Sequence, residues 1–457
     1  KSQGRKMLKT LKYGRKVCEF QKAVALNRSF LSDAYRCEEA WQARLQSPLI
    51  QRIKPENFFL DLEHKQTTTG HVSSIDIDIF ANTVVEKYQT EELLTLIHNL
   101  RLTAETSNTL ESTHHAVVRY LLNHDATEEL INVLHDRLNY GIFPDHVCYN
   151  LLMDACLKRK DYASAAKFAV LPMLQEDSEH PITNALCLYS CHKYLEKPSD
   201  WVKPQPPEDD SKEEIRVRVN YLKPDYFDDH FDLTDPSDLV GKTLAFYGKI
   251  MNNTLGRTCR LRGLILYKKY EDVSKLVEEW VNEVKGKTVY GEVFELIKKD
   301  TENVTGENVT EEYKAAMAQL EALKATSLCK DGLTEALENE VKTAVEKQAR
   351  IDMDEQMKKY TEWENVRASV LDKQMQELKR QNKVAVLKKM KERLVEQEKL
   401  LTFFEHEEDI ELKLEEIEQR EEAEMQRVLA MPHAARKLKK LEKEEEYVPP
   451  KISRQRS

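Results

Sequence analysis

The sequence predicts an all-α chain: a helix-hairpin solenoid followed by a long charged C-terminal helix or coiled coil. Three observations carry that expectation. Charged residues make up 33% of the 457 positions and glycine fills only 12, a balance that suits long polar-faced helices and not an all-β design. Apolar residues recur at spacings of three and four in paired segments of about 35 residues, as in stacked helix hairpins that cannot bury an apolar face alone. Beyond Gly332 there is neither glycine nor proline until Pro432, and that stretch is rich in Glu, Lys, Gln, Leu and Met.

Residues 1–28 form a basic N-terminal arm. Positions 1 to 22 hold eight Lys or Arg against one acid, Glu19, which suits an arm lying on RNA and equally the neighbourhood of a mitochondrial transit peptide. Residues 29–197 are a helical region, with one or two helices ending near the Thr-rich "KQTTTG" and repeats over 75–195. Three hairpins are expected there. Two carry apolar faces on Leu93, Leu96, Ile97 and Leu100 and on Leu130, Val133, Leu134 and Leu138. Thr90 and Thr127 each precede a Glu-Glu pair, as N-caps with acidic first turns do. In the third, Pro144 and Asp145 make the turn that starts a helix, Val147, Leu151, Leu152, Ala155 and Cys156 share one face, and Ala165, Ala166, Ala169 and Met173 follow after the polar break "KRKD". A fourth hairpin opens at Pro181.

Residues 198–236 read as a Pro-rich acidic linker or insertion, within which "IRVRVNYL" alternates like a short edge strand. Further hairpins are expected over 237–299, including a pair broken at Tyr270 to Asp272. Residues 300–431 form a C-terminal helical region with a polar loop to 310 and a long charged helix, and 432–457 a charged tail. The helix carries heptad-like marks at Leu387, Met390, Leu394, Leu401 and Phe404, then at Ile410, Leu414 and Ile417. The phase slips between the two sets, so a kink and pairing of long helices are expected in place of a regular coiled coil.

Catalytic motifs are absent. "GKT" at 241–243 lacks the glycine five positions earlier that a phosphate-binding loop needs, since Pro236 stands there. "HEEDI" at 406 lacks the second histidine of a helical zinc site, because Ile410 cannot ligate. Cys187, Cys191 and His192 have no second ligand pair nearby and read as packing residues, and His114 and His115 adjoin no nucleophile. The eight cysteines are scattered, as reduced thiols are in a reducing compartment. No enzyme activity, cofactor, metal or small-molecule substrate is expected. No apolar run approaches the roughly 18 residues of a membrane span.

What remains is charge. A formal net charge of −10 excludes a surface that wraps nucleic acid throughout, so phosphate contacts must be local. The candidate RNA-binding residues are Arg5, Lys6, Lys9, Lys12, Arg15 and Lys16 in the arm, Lys158, Arg159 and Lys160 in the polar break, and Arg257, Arg260, Arg262, Lys268 and Lys269. Further basic clusters lie at 379–393 and 436–443, the former read first as an ordinary solvated helix face.

The stretch "YGIFPDHVCYNLLMDACLKRKDYASAAKF" resembles the pentatricopeptide repeat, with its "PD" turn and two helices in that family's places. "FLSDAYRCEEAWQARL", "LVGKTLAFYGKI" and "LRGLILYKKYEDV", in that order around it, resemble pentatricopeptide-repeat proteins of the mitochondrial ribosomal small subunit. The resemblance implies a non-enzymatic matrix protein with small-subunit mitochondrial rRNA and other small-subunit ribosomal proteins as partners. Base-reading relatives place one reader in each first helix and another at the repeat's end. The matching points are approximately Phe80, His115 and Asn150, with Leu110, Asp145 and His180, and only Asn150 is a typical reader. A fitted scaffold is therefore expected in place of base-by-base readout. The alternatives are a free RNA-processing or stability factor of the same repeat family and a coiled-coil adaptor with no RNA role.

Overall fold

A computed structural model of the chain describes residues 29–198, 201, 228–283, 287–301, 311–405 and 407–430. The basic arm with Arg5, Lys6, Lys9, Lys12, Arg15 and Lys16, the "IRVRVNYL" segment and the 436–443 cluster lie outside the described residues. Of the polar loop expected at 300–310, only its first two positions are described, and they are helical.

Sixteen α-helices occur among the described residues, and no strand beyond one isolated bridge, Tyr290 to Cys329. The residues up to Val370 form one compact unit and those from Leu371 a second.

The first unit opens with a 3-10 turn, Asp33–Arg36, and the short helix α1, Glu38–Ala43, which buries Trp41. Helix α2, Pro55–Thr69, takes its proline in the first turn, where no amide is needed, and stops at Gly70, whose φ of +70° caps it. Three hairpins follow: α3, Ser74–Thr83, with α4, Thr90–Arg101; α5, Glu111–Asn123, with α6, Thr127–His135; and α7, His146–Arg159, with α8, Tyr162–Leu174. Thr90 and Thr127 are first helical residues instead of caps. The preceding Gln89 and Ala126 cap without a side-chain bond, while the Glu pairs do fill the first turns. Asp145 caps α7 as its sequence position predicts, accepting from the Cys148 amide at 2.8 Å. Lys160 turns left-handed to end α7, and Asp161 caps α8.

Helix α9, Pro181–Glu196, packs on α8 and on α10, Pro236–Met251, which runs antiparallel to α11, Thr254–Leu266. The break after α11 falls at Tyr267 to Lys269, three residues earlier than the sequence suggests. Lys268 adopts φ of +62° there, and Glu271 and Asp272 sit in the first turn of α12, Tyr270–Glu283. Helix α13, Val293–Thr301, and α14, Glu311–Lys324, close a smaller core with α11 and α12, built on Val273, Val277, Trp280, Val293 and Leu320.

"GKT" turns out to be helix packing. Gly241 and Gly248 on α10 face Gly256 and Gly263 on α11. A Cβ at Gly263 would lie 2.5 Å from the Gly241 carbonyl oxygen, and one at Gly248 would lie 2.6 Å from that of Gly256. Only residues without side chains permit that approach.

The last long helix, α15, spans Leu333–Leu401. Residues 402–405 break it, with a 3-10 turn at Phe403–Glu405, before α16, Glu407–Ala430. This is the interruption that the slipped heptad phase anticipates. The part of α15 up to Val370 belongs to the first unit, where Leu333, Leu337, Val341 and Ala344 join the main core. Most of the rest of α15 and of α16 is exposed, including Leu387, Met390, Leu394, Leu414 and Ile417. Among the described residues, no helix is long and apolar enough to cross a membrane.

Candidate macromolecular interface

The hairpins place equivalent positions 35 residues apart: Asp78, Thr113, Cys148 and Thr183, and two further along Phe80, His115 and Asn150. All seven are buried, on α3, α5, α7 and α9. They form one inner face, and what covers it is the chain itself: the α15 residues 334–367 and the N-terminal turns.

Crossing begins at α9, where Thr334 meets His192 at 3.0 Å and Glu338 accepts from the Tyr189 hydroxyl at 3.1 Å. Next, Asp352 accepts from Tyr35 Oη at 2.7 Å and from Gln348 at 2.9 Å, and lies 3.1 Å from His180 Nε2. Tyr360 Oη stands 3.1 Å from His115 Nε2, and the Trp363 ring packs at a tilt with its centroid 5.2 Å from the same ring. Finally Arg367 donates to the fully buried Asp78 at 2.6 Å, where the Ser112 and Thr113 hydroxyls also converge. Asp352, Tyr360 and Arg367 are eight and seven residues apart, about 12 and 10 Å along a helix, which matches the spacing of neighbouring packed helices.

Asn150 is fully buried, donates to Tyr35 Oη at 2.9 Å and accepts from Thr183 Oγ1 at 2.8 Å. That corrects its reading as an RNA contact: both ends of its amide are used inside the protein. His115 is 2% exposed, and Nδ1 lies 3.1 Å from Asp145 Oδ2, an oxygen that can only accept. Nδ1 therefore carries a proton, and Nε2 is bonded to the Tyr360 hydroxyl. Burial raises the Asp145 carboxyl, but His115 and the Cys148 amide outweigh it and hold the group well below the usual carboxylate range.

Cys148 Sγ also approaches His115 Nδ1, at 3.2 Å. Thiol and carboxylate thus share one ring nitrogen, whereas a nucleophile, base and orienting acid need both. The thiol has no solvent access, and burial pushes its pKa well up. As metal ligands, the three atoms lie within 4.8 Å of one another, but one Asp145 oxygen caps α7, the far His115 nitrogen is taken by Tyr360, and no fourth His, Cys or carboxylate joins them among the described residues. The cluster reads as hydrogen-bonded packing. The same holds for Cys187 and Cys191, which are fully buried.

The cluster at 257–269 is largely engaged within the protein. Arg262 is 2% exposed, paired with Asp300 at 2.7 Å and donating to His192 Nδ1 at 3.2 Å, so it is a core residue and not a phosphate contact. Arg257 donates to the Thr288, Lys287 and Asn252 carbonyls. Arg260 is half-buried near Glu279 and Asp272. Lys268 pairs with Asp238 at 3.0 Å and Lys269 with Asp229 at 3.2 Å. In the polar break, Lys158 pairs with Asp154 and Arg159 with Asp125, leaving Lys160 exposed. Charge was readable in the sequence; its neutralisation by acids as far as 40 residues away was not.

By contrast, the seven Lys and Arg of 379–393 are all exposed. Among the described residues one of them has an ion partner, Arg380 with Glu377 at 2.9 Å.

Because His192 accepts from Arg262, it is neutral, with its proton on Nε2 facing Thr334 and Glu196. Burial lowers the pKa of His192 and of His135, and takes His114 down to about 4. A histidine with a depressed folded pKa gives its full stability above the unfolded value of about 6.5, and loses it as pH falls towards the folded value, because there only the unfolded chain takes up the proton. The melting temperature is therefore expected to fall steadily from pH 7 to pH 4.5. His114→Gln should flatten that slope by up to about 1.4 kcal/mol per pH unit, and an unchanged pH profile in the variant would refute the assignment.

Among the described residues, the geometry offers an inner face sealed by the chain's own helix and, at 379–393, a dense run of exposed cations that are mostly unpaired. The sequence matches the family described as mitochondrial 28S ribosomal protein S27 over residues 5–393, which takes in the solenoid, the glycine-packed pair and α15 as far as Arg393. The chain belongs to that mitochondrial ribosomal protein family.

Proposed function

We propose that this protein is a structural component of the mitochondrial small ribosomal subunit, docking on rRNA and on neighbouring ribosomal proteins and so supporting translation, with no catalytic role. One observation carries the reading: the inner face of the solenoid, where base-reading repeat proteins hold single-stranded RNA, is occupied by α15 through Asp352, Tyr360 and Arg367. A free RNA-processing factor needs that face open. A scaffold needs it rigid, and the buried hydrogen bonds made by Asp352, Tyr360 and Arg367 supply rigidity.

The test is sedimentation of a mitochondrial lysate at moderate and high salt, following the protein beside small-subunit rRNA. Stoichiometric co-migration that survives high salt is expected of an integral component. Migration near the top of the gradient, or release at modest salt, would overturn the reading in favour of a free RNA-binding factor.

A further inference from the structure

We infer that residues 379–393 of α15 are the segment that seats the protein on rRNA, as an exposed basic helix placed among phosphates. The inference rests on the ribosomal reading above and assigns its RNA contact to one element.

The 15-residue stretch holds seven cations, Lys379, Arg380, Lys383, Lys388, Lys389, Lys391 and Arg393, against one acid, Glu392. An ordinary solvated helix intersperses signs so that i and i+4 residues pair. Here Lys379, Lys383, Lys388, Lys389 and Lys391 have no ion partner among the described residues, while the cations of 257–269 and 158–159 are largely spent on acids and carbonyls. The sign then reverses past the break at 402–405: α16 carries ten acids and three bases. Such a segment is repelled by phosphate, so any contact with RNA backbone must end before it.

Distribution around the helix selects the partner. At roughly 100° per residue, the cations lie about 0, 60, 80, 140, 240, 280 and 320° around the axis, counted from Lys383. A protein partner covers one face of a helix. A helix of about 22 Å whose cations point to every side is matched by phosphates on several sides, as in a cleft between RNA strands. Leu387, Met390 and Leu394 are the competing feature, an exposed apolar strip that a partner protein could cover.

The experiment uses the full chain and small-subunit mitochondrial rRNA transcribed in vitro. In the variant, Lys379, Lys383, Lys388, Lys389 and Lys391 are changed to Gln, which keeps helix propensity; circular dichroism checks that helicity is unchanged. If all five contact phosphate, affinity should fall at least about tenfold at moderate salt. The slope of log affinity against log salt should become shallower by roughly 4. A control with Glu415, Glu416 and Glu418 changed to Gln should bind as tightly as the parent or tighter.

An unchanged salt slope would overturn the assignment. If the lysine variant nevertheless co-sediments with the small subunit, membership of the ribosome stands and only the contact is misplaced. An unchanged slope with lost co-sedimentation would identify the occupant as a protein, and equal weakening by the control would reduce the effect to general surface damage; either outcome overturns the inference.

Discussion

Replacing Gly263 with alanine is expected to destabilise the protein by about 3 kcal/mol, the upper part of the usual range for overpacking a core. The added methyl would lie 2.5 Å from the Gly241 oxygen and from the Ala245 nitrogen, both backbone atoms that cannot rotate away. Helix propensity pulls the other way, since alanine is favoured over glycine by about 1 kcal/mol in a helix interior. The measured sign therefore decides between packing and propensity. Gly332→Ala, whose nearest neighbour would be 3.8 Å away, serves as the control and should be close to neutral. Chemical denaturation of the three proteins makes the comparison. A Gly263→Ala protein as stable as its parent would mean that α10 and α11 can separate without cost.

The second large effect is expected at Arg367→Leu, which leaves Asp78 charged and fully buried. Breaking a buried ion pair from one side costs about 3–5 kcal/mol, because the remaining charge keeps its desolvation penalty. The Ser112 and Thr113 hydroxyls still bond to Asp78 but supply no positive charge. Adding Asp78→Asn to Arg367→Leu should recover more than half of the loss, since no buried charge is then left. Equal stability of the single and double variants would show that the pair is not coupled. Limited proteolysis within 345–370 should accelerate in the single variant only, which would locate the loosening in α15.

The hairpins were legible because burial is written at three- and four-residue spacing: Leu93, Leu96, Ile97 and Leu100 are all core residues, as are Leu130, Val133 and Leu134. Leu138, counted with them, is 82% exposed, since α6 ends at His135 and the apolar rhythm continues past the helix that gives it meaning. Gly241, Gly248, Gly256 and Gly263 did carry a signal, two pairs seven residues apart within helical pattern, but glycine reads first as a breaker or as part of a phosphate loop. The sealing of the inner face had no local signal. Asp352, Tyr360 and Arg367 sit in a stretch whose composition is that of a solvated helix, and their partners are 172 to 317 residues away in the chain. Asn150 and Arg262 were misread for a related reason: a polar residue at a reader position, or in a basic run, has the same composition whether it faces water or a buried partner.

That long reach sets an order on synthesis. The hairpins from α3 to α9 are local structures, and helix hairpins of this kind form soon after they emerge. Their inner face, with Asp78, His115 and His180, waits for residues 334–367, more than 130 positions beyond the end of α9. For that interval the buried carboxylate of Asp78 and the imidazole of His115 lack the partners that Arg367 and Tyr360 later supply. The finished protein covers that face with a seal made of its own backbone, and it is complete as a building block only when its C-terminal third has arrived.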